Sequence, residues 1–376
     1  MYQDLAKFRK ELHTYPELSG EEKATAQRII QKLKSFEPTR IIENLGGHGV
    51  AAIYDFGNAG KTILFRADTD ALPIQEANNF PHKSVYDGVS HKCGHDGHTT
   101  ILMGVAQKLY QHPLKKGKVI LLFQPAEEIG MGAKAVLEDK KFDQLRPDYA
   151  FALHNVPGFP KGQIVCRKGT FNPAVISLVI KMQGKQAHAA QPENGINPDK
   201  AIAHIMQQVH QWHQPDLAHK EYMKFTTIYT RIGSKDYGIS AGEGELHYTI
   251  RCWTKEKLNL AKEKLTQLIT DVCQENHLTF TLDWIHYFAA SINKEYAVNC
   301  IKQAAAQQGF DYADKPFPFQ WGEDYGLFTE HIPGAMFGLG AGEDTPALHH
   351  NNYDYPDEIT PYGVEVFYKI AEVVVG

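Results

Sequence analysis

Apolar residues recur along the chain with two periods, and the switches between them outline a fold. Leu5, Phe8 and Leu12 stand three and four residues apart, the spacing of one helix face. Ser19-Gly20-Glu21-Glu22 has the form of a capping box, with Ser19 as N-cap and Glu22 reaching back, and predicts a second helix to about residue 34. Strand-like runs follow at Val50 to Tyr54, Thr62 to Arg66, Val119 to Phe123 and Tyr149 to Leu153. Helical periodicity lies between several of them, near Thr99 to Gln111 and Ala133 to Leu137. That alternation predicts an α/β catalytic domain with a mostly parallel central sheet flanked by helices.

The middle of the chain changes character. Strand patterns at Val175 to Met182, Phe225 to Ile232, Leu246 to Cys252 and Leu278 to Leu282 enclose helical patterns at Asn197 to Trp212 and Lys255 to Asn276. The order βαββαβ is that of the split-βαβ, ferredoxin-like α+β sandwich. It predicts an inserted domain at 173–287, between a first part of the main domain at 1–172 and a second at 288–376. The second part reads as helix from Lys294 to Gln308, strand from Ala335 to Leu339 and a terminal helix from Pro361.

Composition narrows the function classes. With 376 residues there is room for two or three domains at roughly 150 residues each. Lys+Arg at 39 against Asp+Glu at 44 leaves −5, so no basic field invites nucleic acid or an anionic membrane surface. Mean hydropathy is −0.39 and no apolar run approaches the length of a membrane span. The five cysteines are odd in number and form no Cys-x-x-Cys pair, which argues against a disulfide framework. With an N-terminal stretch charged throughout, a cytoplasmic location is expected. The unusual count is 19 histidines.

Several of these histidines stand with carboxylates just after predicted strands, where open parallel sheets place their sites. Asp68 and Asp70 follow the Thr62 strand. Cys93-Gly94-His95-Asp96-Gly97-His98 precedes a helix, Glu127-Glu128 follows Phe123, His154 ends the Tyr149 strand, and His349-His350 sits in a polar loop. Each fragment alone reads as cap, turn or core, but together they supply the sulfur, nitrogen and oxygen donors that zinc-like metals accept. Adjacent glutamates at a strand end can divide the work of such a site, one ligating and the other free as base. Asp70 could orient a ligand from behind.

The strings RADTDALPIQE, CGHDGHTT, QPAEE, ALHN and ALHH…YDYPDE, in that order, resemble one metallopeptidase superfamily. It contains the zinc aminoacylases, glutamate carboxypeptidases and acetylornithine and succinyl-diaminopimelate deacylases. The Cys-Gly-His-Asp-Gly-His form is similar to its amidohydrolase branch, which includes hippurate hydrolases, indole-acetyl-amino-acid hydrolases, N-acetyl-diaminopimelate deacetylases and N-acyl-amino-acid amidohydrolases. The resemblance implies two divalent ions per subunit (Zn, Mn, Co or Ni) held by Cys93, His95, Glu128, His154 and His349. It implies Glu127 as general base and then acid, and Asp70 as the carboxylate that orients the metal site. It also implies that the inserted domain is a lid that makes homodimers and offers His188 to polarise the scissile carbonyl, in some relatives from the neighbouring subunit. The expected reaction is hydrolysis of the amide of an N-acyl amino acid or similar small conjugate to carboxylate plus amine. A metallo-carboxypeptidase or dipeptidase on the same scaffold is the alternative, and a catalytically silent metal-binding protein is the alternative of another class. The chain departs from the other branches where Asp68 replaces a ligating His and Cys93 a bridging Asp. Gly238 to Gly242 and Gln186-Ala187 depart from the usual lid motifs, which bears on substrate selection.

Overall fold

Val119 to Phe123 and Ile63 to Phe65 are apolar on both sides of the chain, a pattern that suits strands covered on both faces. In the computed structural model, which describes residues 1–57 and 59–375, both runs are central strands. The chain divides into two compact units: 1–171, 291–316 and 323–376 form the first, 172–290 and 317–322 the second.

The first unit is built on an eight-stranded sheet. Its order is Arg40–Leu45, Gly49–Asp55, Lys118–Gln124, Thr62–Asp68, Tyr149–Pro157, Gly334–Gly342, Ile164–Cys166, Tyr312–Asp314. The four central strands run parallel, and antiparallel pairings border them on either side. The chain leaves Thr62–Asp68 for a strand on one side and then returns to a strand on the other. That reversal is the switch point at which open α/β sheets bind ligands, beyond the carboxyl ends of the strands. Helices Tyr2–Thr14, His95–Gln111 and Thr360–Val375 contribute Leu5, Phe8, Ile101, Val364 and Phe367 to one apolar core with sheet residues Phe65, Leu121, Phe151 and Phe337.

Some expectations are corrected here. Ser19 does not cap the second helix, which runs Lys23–Lys34. Its first amides instead donate to the Glu17 carboxylate, Ala24 N–H at 3.1 Å and Thr25 N–H at 2.6 Å. The helix expected from Thr99 begins at His95, so the histidine motif forms its first turn. Strand Arg40–Leu45, mixed in polarity and at the sheet edge, was not apparent from the pattern. Gly338 and Gly340 serve close packing: a Cβ on Gly340 would stand 1.9 Å from the Pro160 carbonyl oxygen.

In the second unit, strands in the order Met223–Ile232, Glu243–Cys252, Ala174–Gln183, Thr279–Phe288 make an antiparallel sheet. With helices Asp199–Trp212 and Lys255–Glu275 this is the βαββαβ sandwich. Alternate residues Leu246, Tyr248, Ile250 and Cys252 are buried, as period-two patterning requires. Thr254 caps the second helix by accepting from Lys257 N–H.

Candidate metal centre

Three parallel strands and two loops of the first unit deliver the chemistry-bearing side chains to one place. Asp68 ends one strand, Glu127 and Glu128 follow the next, and His154 lies within the third, which continues to Pro157. Cys93 and His95 come from the loop and first helical turn, where Gly94 at φ 91° makes the turn. A Cβ on Gly94 would meet Asn155 Oδ1 at 2.2 Å, so only glycine lets the helix start so close to the third strand. Ala126 takes φ 55°, a left-handed conformation costly for alanine, and this bend turns the glutamate pair into the site. Its N–H donates to Glu22 Oε1 at 2.7 Å, the contact that occupies Glu22 in place of a helix cap. His349, also left-handed at φ 65°, closes the cluster from the C-terminal loop.

The donors fall into overlapping groups. Ligating atoms of Cys93, His95 and His154 lie within 4.8 Å of one another, and so do those of Cys93, Glu128 and His349. Cys93 Sγ is 3.4 Å from His154 Nε2, and Glu128 Oε1 is 3.7 Å from His95 Nε2 and 3.6 Å from His349 Nε2. Hydrogen bonds set the tautomers. His95 Nδ1 faces the Asp70 carbonyl oxygen at 3.0 Å and Asp70 Oδ1 at 3.1 Å, both acceptors, so Nδ1 carries the proton. His154 Nδ1 likewise donates to Asn155 O at 2.8 Å. Each ring therefore turns Nε2 toward the cluster. His98 differs: its Nε2 accepts from Asn155 N–H at 3.1 Å and its Nδ1 donates to Asp68 Oδ1 at 2.6 Å, so both nitrogens are engaged.

Does this set fit a cation? Among the described residues His95 Nε2 and Glu128 Oε1 are buried and have no hydrogen-bond partner, although both are strong polar atoms. Buried polar atoms are rarely left so without a bound ion or water. Electrostatics agrees. Burial works against a charged His95, yet Asp68, Asp70 and Glu128 raise its pKa to about 10. Burial, with Glu128, Glu127 and Asp68, pushes the Cys93 thiol well up, and burial with Asp70 and Asp68 lifts Glu128 to about 7 against the pull of His95. Closely packed carboxylates, thiol and imidazoles of this kind suit a divalent cation, which would offset their shared negative charge. Thiolate, imidazole and carboxylate together are the donor set of borderline divalent metals.

Glu127 stands beside these ligands, its carboxylate within 4.8 Å of the His95 and Glu128 donor atoms, and is anchored on its far side. Its Oε1 accepts Asp324 N–H at 3.3 Å, and its Oε2 lies 4.0 Å from His95 Nε2. Burial and the Glu323, Glu128 and Asp324 carboxylates raise its pKa well above the ordinary range. Asp70 does the opposite: burial is outweighed by bonds from His95, Glu128 N–H (2.9 Å) and Ser19 Oγ (2.7 Å), which keep it ionised. His188 lies in the second unit, exposed on the short strand Ala187–His188, where its Nδ1 accepts Ala190 N–H at 3.0 Å.

Sequence reasoning passed over the support. Arg66 is fully buried and donates to Asp68 Oδ2 (2.7 Å), Asp324 Oδ1 (2.7 Å) and Gln124 Oε1 (2.9 Å), with Glu323 Oε1 at 2.9 Å. Asp68, where other branches carry a ligating His, is thus engaged by Arg66 and His98. The Glu323-Asp324 segment braces both Arg66 and Glu127. Behind the cluster Arg9, His13, Glu76, Lys92 and Asp96 form a second buried network. Its signal was present: Arg9 and His13 sit beside Phe8 and Leu12 on the helix face that enters the core.

A two-unit α/β protein with metal-type donors converging beyond the carboxyl ends of a parallel sheet is the class that fold and site define. The chain belongs to the group described as Peptidase family M20/M25/M40, which it matches over residues 64–373. It is 29% identical over 375 residues to the hippurate hydrolase of Campylobacter jejuni, covering 98% of this chain and 96% of that one. It is 30% identical over 362 residues to the N-acetyldiaminopimelate deacetylase of Lactobacillus helveticus, covering 94% and 93%. A Bacillus subtilis crystal structure described as a dinuclear metal binding peptidase from the M20 family superposes with a TM-score of 0.84 at 28% identity, covering 100% of this chain and 98% of that one.

Proposed function

We propose that this protein hydrolyses the amide of N-acyl amino acids or similar small conjugates, with two divalent ions held by Cys93, His95, Glu128, His154 and His349. The observation that carries this reading is the pair of buried ligand atoms, His95 Nε2 and Glu128 Oε1, that have no hydrogen-bond partner among the described residues, beside a second glutamate, Glu127, anchored through Oε1 by Asp324 N–H. The names of the relatives, a hippurate hydrolase and an N-acetyldiaminopimelate deacetylase, point to the N-acyl amino acid class. Zn, Mn, Co and Ni are the candidate ions. Bound there, they supply Lewis-acid polarisation of a carbonyl and acidify water.

The chain's own residues supply the proton transfers. Glu127 Oε2 takes the proton from the attacking water, aided by the surroundings that raise its proton affinity. It then returns that proton to the departing nitrogen. Asp324 N–H fixes the other carboxylate oxygen, so that the proton enters and leaves at one atom. Asp70 holds the His95 ring in its ligating tautomer. His188 donates to the developing oxyanion, from its own subunit or a partner's. The second unit acts as lid and joins two copies as a homodimer. Ile228, Tyr229 and Ile232 on its edge strand, all exposed, support that pairing. The cytoplasm is the proposed location.

Glu127→Gln tests the core of the reading. The variant is expected to keep its metal content, measured by elemental analysis, while kcat falls by at least about 10²-fold. Near-native turnover would remove Glu127 as base. A panel of N-acetyl and N-benzoyl amino acids and dipeptides, run on the Zn-, Mn-, Co- and Ni-loaded protein, separates amidohydrolase from dipeptidase by kcat/KM. No turnover with any metal would favour a binding protein.

A further inference from the structure

Lys92 is a fully buried lysine whose place in the reaction has not been accounted for. It directly precedes Cys93 and grips the C-terminal loop at two points. Its backbone carbonyl accepts His349 N–H at 2.7 Å, and its Nζ donates to the Tyr353 carbonyl at 2.7 Å. Glu76 Oε1, 2.5 Å from Nζ, is the counter-ion, and it is shared with His13 Nε2 at 3.0 Å. Only Asn78 Nδ2, at 3.2 Å, also donates to the Tyr353 carbonyl among the bonds that meet this atom in the described residues.

The loop needs holding. His349 is left-handed at φ 65°, a strained conformation for a non-glycine residue. Its side chain is 52% exposed, so little packing fixes the ring. Cys93, His95 and His154 depend far less on this loop, since a helix start and a central strand carry the two histidines and all three are buried.

We infer that Lys92 is a positioning residue: its buried ammonium clamps the His349 loop to the Cys93 loop and thereby sets metal affinity at the Cys93–Glu128–His349 group while leaving the Cys93–His95–His154 group largely alone. This rests on the two-ion reading above. The test is titration of metal-free protein with Co(II), followed by calorimetry and by the cobalt absorption spectrum. Wild type is expected to bind in two steps. Lys92→Met fills the same space without donors, and one step should weaken about 10- to 100-fold while the other changes little. Equal weakening of both steps, or of neither, overturns the inference. If wild type binds fewer than two ions, the two-ion reading falls, and this inference with it. Should Lys92→Met not fold, Asn78→Ala carries the test, because it removes the other donor to Tyr353, together with a longer bond to Glu76 Oε1 at 3.4 Å, and leaves the Lys92 and Glu76 side chains in place. About fivefold weakening confined to the same step is then expected, the worth of one neutral hydrogen bond. Unchanged affinity overturns the clamp.

Discussion

Arg66, buried and outside the proposed ligand set, gathers the carboxylates on one side of the site around a single positive charge. Its guanidinium is surrounded by Asp68, Glu323, Asp324 and Gln124, and its positive charge offsets carboxylates that would otherwise repel one another in a dry interior. Asp324 is pushed up to about 7 by burial even so, with Arg66 lowering it and Glu323 raising it. Removing one partner of a buried ion network leaves the others uncompensated, which costs about 3–5 kcal/mol. Arg66→Met is therefore expected to lower unfolding free energy by that amount in urea denaturation. A loss below about 1 kcal/mol would mean that the carboxylates are already neutral. No sequence signal singles out Arg66, because an arginine within a strand reads as polar until its partners are known, and two of them, Glu323 and Asp324, lie more than 250 residues away.

At the level of elements, two unusual backbone turns aim the donors. Gly94 begins the His95–Gln111 helix in a left-handed conformation against Asn155, and Ala126 bends the chain after Lys118–Gln124. Gly94→Ala places a Cβ where Asn155 Oδ1 stands and adds left-handed strain of about 1–3 kcal/mol. We expect a comparable fall in stability by calorimetry, with weaker metal retention under a chelator, because Asn155 neighbours His154. Unaltered melting and metal retention would show that the helix start can shift freely. The strands themselves were legible from continuous apolar runs, as burial on both faces requires. Ser19 and Glu22 form a capping-box pattern without forming a cap, because their side chains suit a helix end but the fold directs them to Asp70 and Ala126.

On the scale of the molecule, a buried polar network links the two ends of the chain. Arg9 donates to Asp354 and Asp357, His13 bonds Asp96 and Glu76, and Glu76 meets Lys92. For His13, burial lowers the pKa, but Asp96 and Glu76 raise it to about 9. A folded-state pKa above the unfolded value of about 6.5 stabilises the fold fully below pH 6.5, and the contribution disappears as pH rises through 9. The shift corresponds to about 3 kcal/mol. The stability difference between wild type and His13→Gln is thus expected to be largest near pH 6 and to shrink by pH 10, read from denaturant midpoints. A difference that stays constant over that range would mean that His13 is neutral in the folded protein. Glu76, lowered to about 2 against burial by bonds from His13 and Lys92, places the opposite loss in strong acid.

By itself, the sequence determined the order of elements, the inserted βαββαβ segment and the concentration of metal-type donors after strands, because period and composition are local properties. It also carried the family, since five motifs in fixed order survive without any geometry. Tertiary structure alone decided which donors keep an open nitrogen. Within one motif, His95 turns Nε2 to the cluster while His98 is engaged at both nitrogens by Asp68 and Asn155. It likewise decided that Ser19 bonds Asp70, Glu22 bonds Ala126, Arg66 bonds Asp68 and Lys92 bonds Glu76, none of these side chains capping a helix or lying exposed on the surface. Such roles depend on hydrogen bonds between residues distant in sequence, and a single chain read in order contains the donors and acceptors but not their pairing.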